Sequence, residues 1–290
     1  YWTLQKQQFR IAIRSASTLA ARAGLHCSIG LLFGTLYYDL ERSFFSGAGG
    51  WGPWLPVYMQ RASPMPKDRV GFIFMLALAQ QVTPNCAMSF FIEDKHYYIR
   101  EAPARLYGAV TYHLANAITE AMVCTVNAAL ASWVATSMAG LPLSGRWHLL
   151  MLHMVSHHMC SSAMVQMCGR LTQNQDVAFV LSAGYIILNW LFSNVLVKID
   201  TVSPPLAALS WLCSLFYCVG GLVQVEFAGV EERGLPLGDA VVSAYSIRLS
   251  SDHALDQAGC LMVVWGFYVL FSTTGFLALK FRSMPRSDSF

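Results

Sequence analysis

Charge is what this chain lacks most. Only 12% of its 290 residues are charged, whereas 55% are hydrophobic. Five runs of about twenty residues, the length of helix that crosses a hydrocarbon core, contain no Asp, Glu, Lys or Arg. This composition excludes a soluble globular domain and predicts an all-α, polytopic membrane protein. The five runs are residues 70–91, 121–143, 147–169, 177–197 and 258–279.

Other absences restrict the chemistry. The eight cysteines form no Cys-x-x-Cys pair of the kind that binds structural zinc. There is no Gly-x-x-x-x-Gly-Lys-Ser/Thr phosphate-binding loop, so we expect no ATP hydrolysis by this segment. A net charge of +3 is too small to favour nucleic acid as a partner. The chain does not begin with Met, and we expect it to be a segment of a longer protein.

The charge-free runs predict six spans within a single transmembrane domain that covers residues 1–290. We expect Arg22 to reach back to the headgroups, so that the first span begins near Leu19. Pro84 is expected to kink the second span. The predicted spans are about residues 19–38, 70–91, 112–138, 147–169, 177–197 and 258–279.

Residues 1–18 are predicted to form an amphipathic entry helix. Lys6, Arg10 and Arg14 recur every four residues, while apolar residues occupy another sector, as in a helix lying in the headgroup plane. An ordinary cytosolic helix preceding the first span is the alternative.

The long segment 199–257 leaves the topology open, because residues 201–225 are also free of charge. Pro204 and Pro205 open this stretch, and we expect Gly220 and Gly221 to break its second half. These features favour a re-entrant helical hairpin within an outer loop over a seventh span. Six spans also place both basic termini on one side, which the positive-inside rule assigns to the cytosol.

Four polar residues follow one face of the third predicted span. An acidic side chain at mid-depth is costly in lipid, so Glu120 is expected to face protein. We predict a polar relay that hydrogen-bonds to a neighbouring span, in preference to a proton path. The relay residues are His113, Asn116, Glu120 and Asn127.

Histidines in the fourth span raise a rival hypothesis. His153 and His157 lie one helical turn apart, with His158 adjacent, a spacing that can place two imidazoles on a metal. An intramembrane metal-dependent enzyme is therefore the rival class of function. Since the span contains no Asp or Glu to complete a site, we favour histidines that contact neighbouring helices and predict no metal.

Several motifs resemble those of one known family, the membrane domains of ATP-binding-cassette exporters of the G family, also called white-brown half-transporters. Residues 68–74 are similar to its Asn-Arg-x-Gly-x-Leu-Phe opening of the second span. Residues 91–95 and 98–101 match its Phe-x-x-Glu repeats, followed by its Tyr-x-x-x-x-Tyr stretch at Tyr107 and Tyr112.

The resemblance continues to the end of the fifth span and beyond. Residues 192–197 are similar to that end, although Asn194 stands where the family usually has Gly. Further matches in the outer loop are Trp211, Tyr217, Glu226 and Phe227.

The resemblance implies a function and partners. It implies an exporter of lipids, sterols or amphipathic small molecules, energised by ATP and Mg²⁺ in a nucleotide-binding domain of the same protein. It also implies pairing with a second half-transporter, as a homodimer or heterodimer, in the plasma membrane or an organelle membrane. A scaffold without transport activity is a further alternative.

The resemblance also implies roles for individual residues. A short cytosolic coupling helix between the second and third spans is expected to transmit domain closure to the spans. Its candidate residues are Glu93, Asp94, Arg100, Glu101, Arg105 and Tyr107, with Pro103 where that helix is expected to start. The candidate substrate-binding residues are Ala79, Val82, Cys86, Ile187 and Trp190, and the candidate gate is formed by Val195 and Leu196.

Overall fold

The structure is a computed structural model that describes residues 16–38, 66–104, 107–140, 146–228, 237–247 and 254–283. These residues form ten α-helices joined by turns and short 3₁₀-helices. The helices are α1 (Ala16–Leu36), α2 (Pro66–Val82), α3 (Met88–Glu101), α4 (Ala109–Ala139), α5 (Trp147–Leu171), α6 (Gln175–Leu191), α7 (Pro204–Ala207), α8 (Ser214–Phe227), α9 (Leu237–Tyr245) and α10 (Gln257–Ser283).

Local sequence accounts for several helix ends. Helix α4 ends at Gly140, which adopts φ 65°, the left-handed conformation that glycine takes without a steric penalty. Helix α6 begins after Asn174, whose side chain accepts a hydrogen bond from the Asp176 amide at 2.9 Å. At Pro84 the α-helix gives way to a 3₁₀ turn, Thr83–Ala87, and resumes at Met88. The helix type therefore changes at Pro84, while residues 68–104 still form one apolar segment and the kink itself stays a prediction.

Helix α5 lies at the centre of the bundle. It packs against α2, α3, α4, α6, α8 and α10. Most of its side chains are buried, and many of them are Ser, His or Met rather than Leu or Ile. Van der Waals packing and interhelical hydrogen bonds hold helices together in lipid, so this composition suits a helix surrounded by protein.

Helices α5 and α10 coincide with charge-free runs, and α2, α4 and α6 overlap three others. By length and hydropathy, four helical segments of the described residues are able to span a membrane, or five if a bent pair counts as one span. The central helix α5 falls outside that set because its polar residues lower its hydropathy, and α6 has only 17 residues. The six-span count stays a prediction, and most of the predicted helix at residues 1–18 lies outside the described residues.

The segment predicted to be an outer loop, residues 199–257, contains the bent pair. Residues Pro204–Leu212 and Ser214–Phe227 meet at 80°, a geometry that fits a broken span or a re-entrant hairpin. The expectation that Gly220 and Gly221 break this stretch is wrong, because both lie inside α8. A Cβ atom on Gly221 would come within 2.5 Å of His153 Nε2, so the glycine permits close packing of α8 on α5.

The charged segment after the second span differs from the expectation. It lies on α3, which runs to Glu101, and Pro103 belongs to a 3₁₀ turn, Ala102–Ala104, that follows this helix. The short helix expected to start at Pro103 is therefore a continuation of the helix before it. Proline fits the first turn of a helix, but it is equally compatible with a turn that ends one.

Candidate functional site

A buried cluster of polar side chains surrounds Glu120 in the middle of α4. Arg22 of α1 donates to both carboxylate oxygens, with Nη1 lying 3.0 Å from Oε2. Ser162 of α5 donates to the same carboxylate at 2.7 Å, and the Cys124 thiol lies 3.2 Å from it. Because Arg22 and Glu120 are only 3% and 6% exposed, the two charges compensate each other inside the protein.

The expected position of Arg22 at the headgroups is wrong. Its guanidinium points into the bundle toward Glu120, 98 positions further along the chain. An acidic and a basic residue in separate apolar helices are the signal that sequence reasoning missed, since charges inside a membrane domain usually pair.

The other predicted relay residues contact different helices. His113 lies 3.0 Å from both Ser272 Oγ of α10 and Arg170 Nη1 of α5. Asn116 donates to the Asp94 carboxylate of α3 at 3.0 Å. Asn127 is buried, and its Nδ2 has no hydrogen-bond partner among the described residues. The face of α4 is therefore tied to α1, α3, α5 and α10 rather than to one neighbouring span.

A chain of hydrogen bonds extends from Arg22 toward α5. His26 Nδ1 lies 2.7 Å from the Arg22 carbonyl oxygen, and His26 Nε2 lies 3.0 Å from Thr83 Oγ1. The His26 ring meets the His158 ring edge to face, with centroids 4.7 Å apart. His158 Nδ1 in turn lies 2.8 Å from the Gln80 carbonyl oxygen. These contacts join α1, the end of α2 and α5.

Two neighbouring residues of α3 anchor the predicted coupling segment. Asp94 accepts hydrogen bonds from Tyr112 and Asn116 of α4. Lys95 donates to the carbonyl oxygens of Gly169, at 2.7 Å, and Thr172 at the end of α5. A cation is favourable there because the last carbonyls of a helix carry partial negative charge. Lys95 was not among the predicted coupling residues.

The remaining coupling candidates lie toward the surface. The Tyr107 hydroxyl donates to the Glu101 carboxylate, and the Tyr107 ring stacks on Tyr112. Burial and the Glu101 carboxylate raise the pKa of Tyr107 well above its ordinary value, so its hydroxyl remains a donor at neutral pH. Glu93 and Arg100 are exposed, whereas Arg105 lies outside the described residues.

Four of the five predicted substrate-binding residues lie on the surface of the single chain. Val82, Ile187 and Trp190 are 46%, 52% and 43% exposed, and Cys86 is also exposed, while Ala79 is buried. Ser182 donates to Asn85 Oδ1 at 2.5 Å, which holds α6 beside the turn that follows α2. The exposed apolar residues therefore belong to two adjoining elements.

The predicted gate follows a left-handed residue. Asn194 adopts φ 64°, a conformation that Asn tolerates better than most residues, which explains how it replaces the usual Gly. Its side chain accepts a hydrogen bond from the Ile199 amide at 3.1 Å. Leu196 is 53% exposed and Val195 is partly buried, so this short segment presents apolar surface beyond the end of α6.

The C-terminal end of α8 is contacted by two arginines. Arg69 of α2 donates to the Glu226 carboxylate at 2.9 Å. Arg146, which precedes α5, donates to the carbonyl oxygen of Ala228 at 2.6 Å. The first of these contacts connects the Arg of the second-span motif with the Glu of the predicted outer-loop motif.

The histidines of α5 are buried, and their contacts differ from one to the next. Among the residues that the structure describes, no group of three or more His, Cys, Asp or Glu side chains is arranged to hold an ion. His153 Nδ1 lies 3.0 Å from the Leu149 carbonyl oxygen, and His158 contacts Gln80 and His26. The Leu149 contact lies within α5, and His153 meets a neighbouring helix only at Gly221 of α8, whereas His158 contacts both α1 and α2. The absence of a metal stays a prediction.

The helical architecture and the paired charges within it define an integral, multi-pass membrane protein. Comparison with known families is more specific, because residues 1–227 match the model of the ABC-2 type transporter. The chain belongs to this family, in which the membrane domain is the transporting part and does not catalyse ATP hydrolysis.

The similar proteins are G-family members, so the resemblance seen in the sequence motifs is confirmed. ABC transporter G family member 12 of Dictyostelium discoideum is 22% identical over 99% of this chain and 44% of its own length. G family member 22 of the same organism is 23% identical over 93% of this chain and 41% of its own length. The broad substrate specificity ATP-binding cassette transporter ABCG2 of Rattus norvegicus is 22% identical over 96% of this chain and 42% of its own length. The chain therefore spans less than half the length of these relatives.

Proposed function

We propose that this chain is the membrane-spanning half of an ATP-driven exporter of lipids, sterols or other amphipathic small molecules. The observation that carries the proposal is the family match over residues 1–227. A relative whose name describes broad substrate specificity supports cargo held by apolar contact rather than by a precise set of polar groups.

The proposed energy source lies outside this chain. ATP and Mg²⁺ would bind to a nucleotide-binding domain of the same protein, and closure of two such domains would drive transport. The anchoring of α3 supports a coupling role for Glu93, Asp94, Arg100, Glu101, Arg105 and Tyr107. Buried contacts from Asp94 to α4 and from Lys95 to α5 connect that segment to two helices of the bundle. A push on α3 would therefore move those helices rather than be absorbed by a flexible loop.

The proposed cargo path requires a second half-transporter, in a homodimer or heterodimer. Val82, Cys86, Ile187 and Trp190 are exposed on the single chain, which suits walls of a cavity that two chains enclose about a two-fold axis. Val195 and Leu196 would close this cavity, and Ala79 would pack behind its wall.

Reconstitution tests the proposal. The full-length protein is placed in liposomes that contain a fluorescent phospholipid, a fluorescent sterol or an amphipathic dye, and movement across the bilayer is followed after addition of Mg-ATP. Mg-ADP serves as the control. We expect at least one probe to move across the bilayer with Mg-ATP, and none to move with Mg-ADP. If none of the three probes moved faster with Mg-ATP than with Mg-ADP, the proposal would be overturned and the scaffold alternative would be favoured.

The metal-dependent enzyme remains the rival class, but no arrangement of ligands in the described residues supports it. Metal analysis of the same preparation separates the two functions. Stoichiometric zinc or iron that is lost in a His157→Ala variant would favour the enzyme.

A further inference from the structure

A small cavity lies between α4, α5 and α10. Helix α5 packs against both α4 and α10, and side chains from all three helices line the cavity. The space inside it has room for about one water-sized group. The lining includes Ala117, Glu120 and Ala121 of α4, Gln166 and Arg170 of α5, and Tyr268 of α10.

Three polar side chains of this lining have hydrogen-bonding capacity to spare. Gln166 is 7% exposed, and its amide makes no hydrogen bond within the described residues. Tyr268 is partly exposed, and its hydroxyl likewise makes none there. The Glu120 Oε2 atom accepts a hydrogen bond from Arg22 Nη1, and a carboxylate oxygen is able to accept a second one. One cavity therefore brings together an amide, a hydroxyl and a carboxylate.

The charges around the cavity favour a neutral ligand. The Glu120 carboxylate would repel an anion, while the guanidinium groups of Arg22 and Arg170 would repel a cation. A phosphate headgroup is in addition too large for the space. A hydroxyl group suits the lining, because it can donate to Glu120 and accept from Gln166.

The surface around the cavity is apolar. Ala117 and Ala121 are partly exposed, and their neighbours Ile118 and Met122 are 39% and 53% exposed. On α10, Val269 is 58% exposed. The three polar side chains all lie within predicted spans, and α4 and α10 are among the helices able to cross a membrane. A ligand that reaches the cavity from this surface therefore approaches through hydrocarbon.

We propose that the cavity binds the hydroxyl group of a membrane lipid whose apolar body lies along α4 and α10. Hydrocarbon offers a hydroxyl no hydrogen bonds, so a lipid gains by placing this group on polar side chains. Because the space admits about one such group, the ligand is a lipid whose polar part is a single hydroxyl, as in a sterol. The site uses none of the residues proposed for the cargo path and does not depend on the proposed transport function.

Photolabelling with a sterol tests the proposal. The probe is a cholesterol analogue with a diazirine close to its hydroxyl group, in phosphatidylcholine nanodiscs that hold the full-length protein without nucleotide. We expect mass spectrometry to find the label on the segments that line the cavity, residues 117–124, 159–170 and 268–272. Unlabelled cholesterol should reduce this labelling several-fold. Cholesterol methyl ether, which has the same apolar body but no hydroxyl donor, should not.

Two results of this competition would overturn the proposal. Equal competition by cholesterol and its methyl ether would mean that sterols bind this surface through apolar contact alone. Absence of label from all three segments would leave water as the occupant of the cavity.

Variants examine the cavity itself. Gln166→Leu keeps a side chain of similar size without the amide, and we expect it to abolish the several-fold difference between the two competitors. Ala121→Leu narrows the opening and should lower labelling several-fold. Ala129→Leu is the matched control, since Ala129 is also partly exposed on α4 but does not line the cavity. Wild-type labelling and competition in both Gln166→Leu and Ala121→Leu would contradict the site, and the wild-type competition decides the proposal even where a variant fails to fold.

Discussion

Arg22 on α1 and Glu120 on α4 form an ion pair inside the bundle, with Nη1 and Oε2 3.0 Å apart. Removing two charges from solvent costs about as much as their attraction returns, so the pair adds little net stability. The pair instead selects one arrangement of the helices. Any other register of α1 against α4 would leave Arg22 and Glu120 buried without a counter-charge. The pair therefore fixes how α1 and α4 are placed relative to each other.

Breaking this pair from one side should be strongly destabilising. Glu120→Gln leaves the Arg22 guanidinium buried without a counter-charge, and we expect a loss of about 3–5 kcal/mol. The thermal unfolding midpoint of the protein in nanodiscs measures it. Arg22→Met combined with Glu120→Met should recover most of the loss, because two apolar side chains need no pairing. A double variant as unstable as the single one would argue against the pair.

Because α1 packs closely on α4 at Gly30, we expect alanine at this position to lower the stability of the protein. A Cβ on Gly30 would come within 2.8 Å of the Ala131 carbonyl oxygen, whereas nothing lies within 4 Å of one on Gly24. Gly30→Ala should destabilise the protein by about 1–3 kcal/mol, the usual cost of overpacking. Gly24→Ala should be neutral or slightly stabilising, because alanine favours the helix. Thermal unfolding of the two variants side by side measures the difference, and equal midpoints would contradict the packing.

The helices were predictable because long apolar stretches with few charges favour buried or membrane-spanning helices, whichever of the two surrounds them. The third span, predicted at residues 112–138, coincides with Ala109–Ala139. The role of a glycine was harder to predict. Gly140 ends α4, whereas Gly221 lies inside α8. Glycine both relieves a left-handed backbone and permits close packing, and only the neighbouring helix shows which role applies.

The candidate site was predictable in its residue types but not in its partners. Glu120 was expected to face protein, and it does. Its partner Arg22 was assigned to the headgroups, because a lone Arg near a helix end has the same sequence pattern whether it reaches outward or pairs inward. The pairing of His26 with His158 likewise depends on which helices are neighbours, and one sequence without its relatives does not record that.

The Glu101 carboxylate should be required for coupling. It accepts a hydrogen bond from Tyr107, whose ring stacks on Tyr112 of α4. Glu101→Lys replaces this acceptor with a cation, and we expect loss of ATP-driven flux in liposomes while the amount at the cell surface is unchanged. Glu101→Gln keeps an acceptor oxygen and should retain most of the flux. Normal flux in Glu101→Lys would exclude the coupling role.

Lys95 should hold the end of α5 in place. Lys95→Met has similar length but removes the hydrogen bonds to the carbonyls of Gly169 and Thr172. Hydrogen bonds from charged groups are worth about 1.5–3 kcal/mol, so we expect faster hydrogen–deuterium exchange at residues 169–174. Lys95→Arg keeps the charge and should exchange like the wild type. If the Met and Arg variants exchanged equally, the contacts at the end of α5 would have no stabilising effect.

Trp190 should contribute to the cargo path rather than to stability. It is 43% exposed on α6, the helix that Ser182 joins to the turn carrying Cys86, whereas Trp265 on α10 is 38% exposed. Truncating an exposed side chain leaves no internal cavity, so neither Trp190→Ala nor Trp265→Ala should lower the unfolding midpoint appreciably. Only Trp190→Ala should alter flux, lowering the apparent affinity for flat amphipathic cargo several-fold because an aromatic wall is lost. Equal flux in the two variants would place Trp190 among ordinary lipid-facing residues and would move the proposed cavity away from α6.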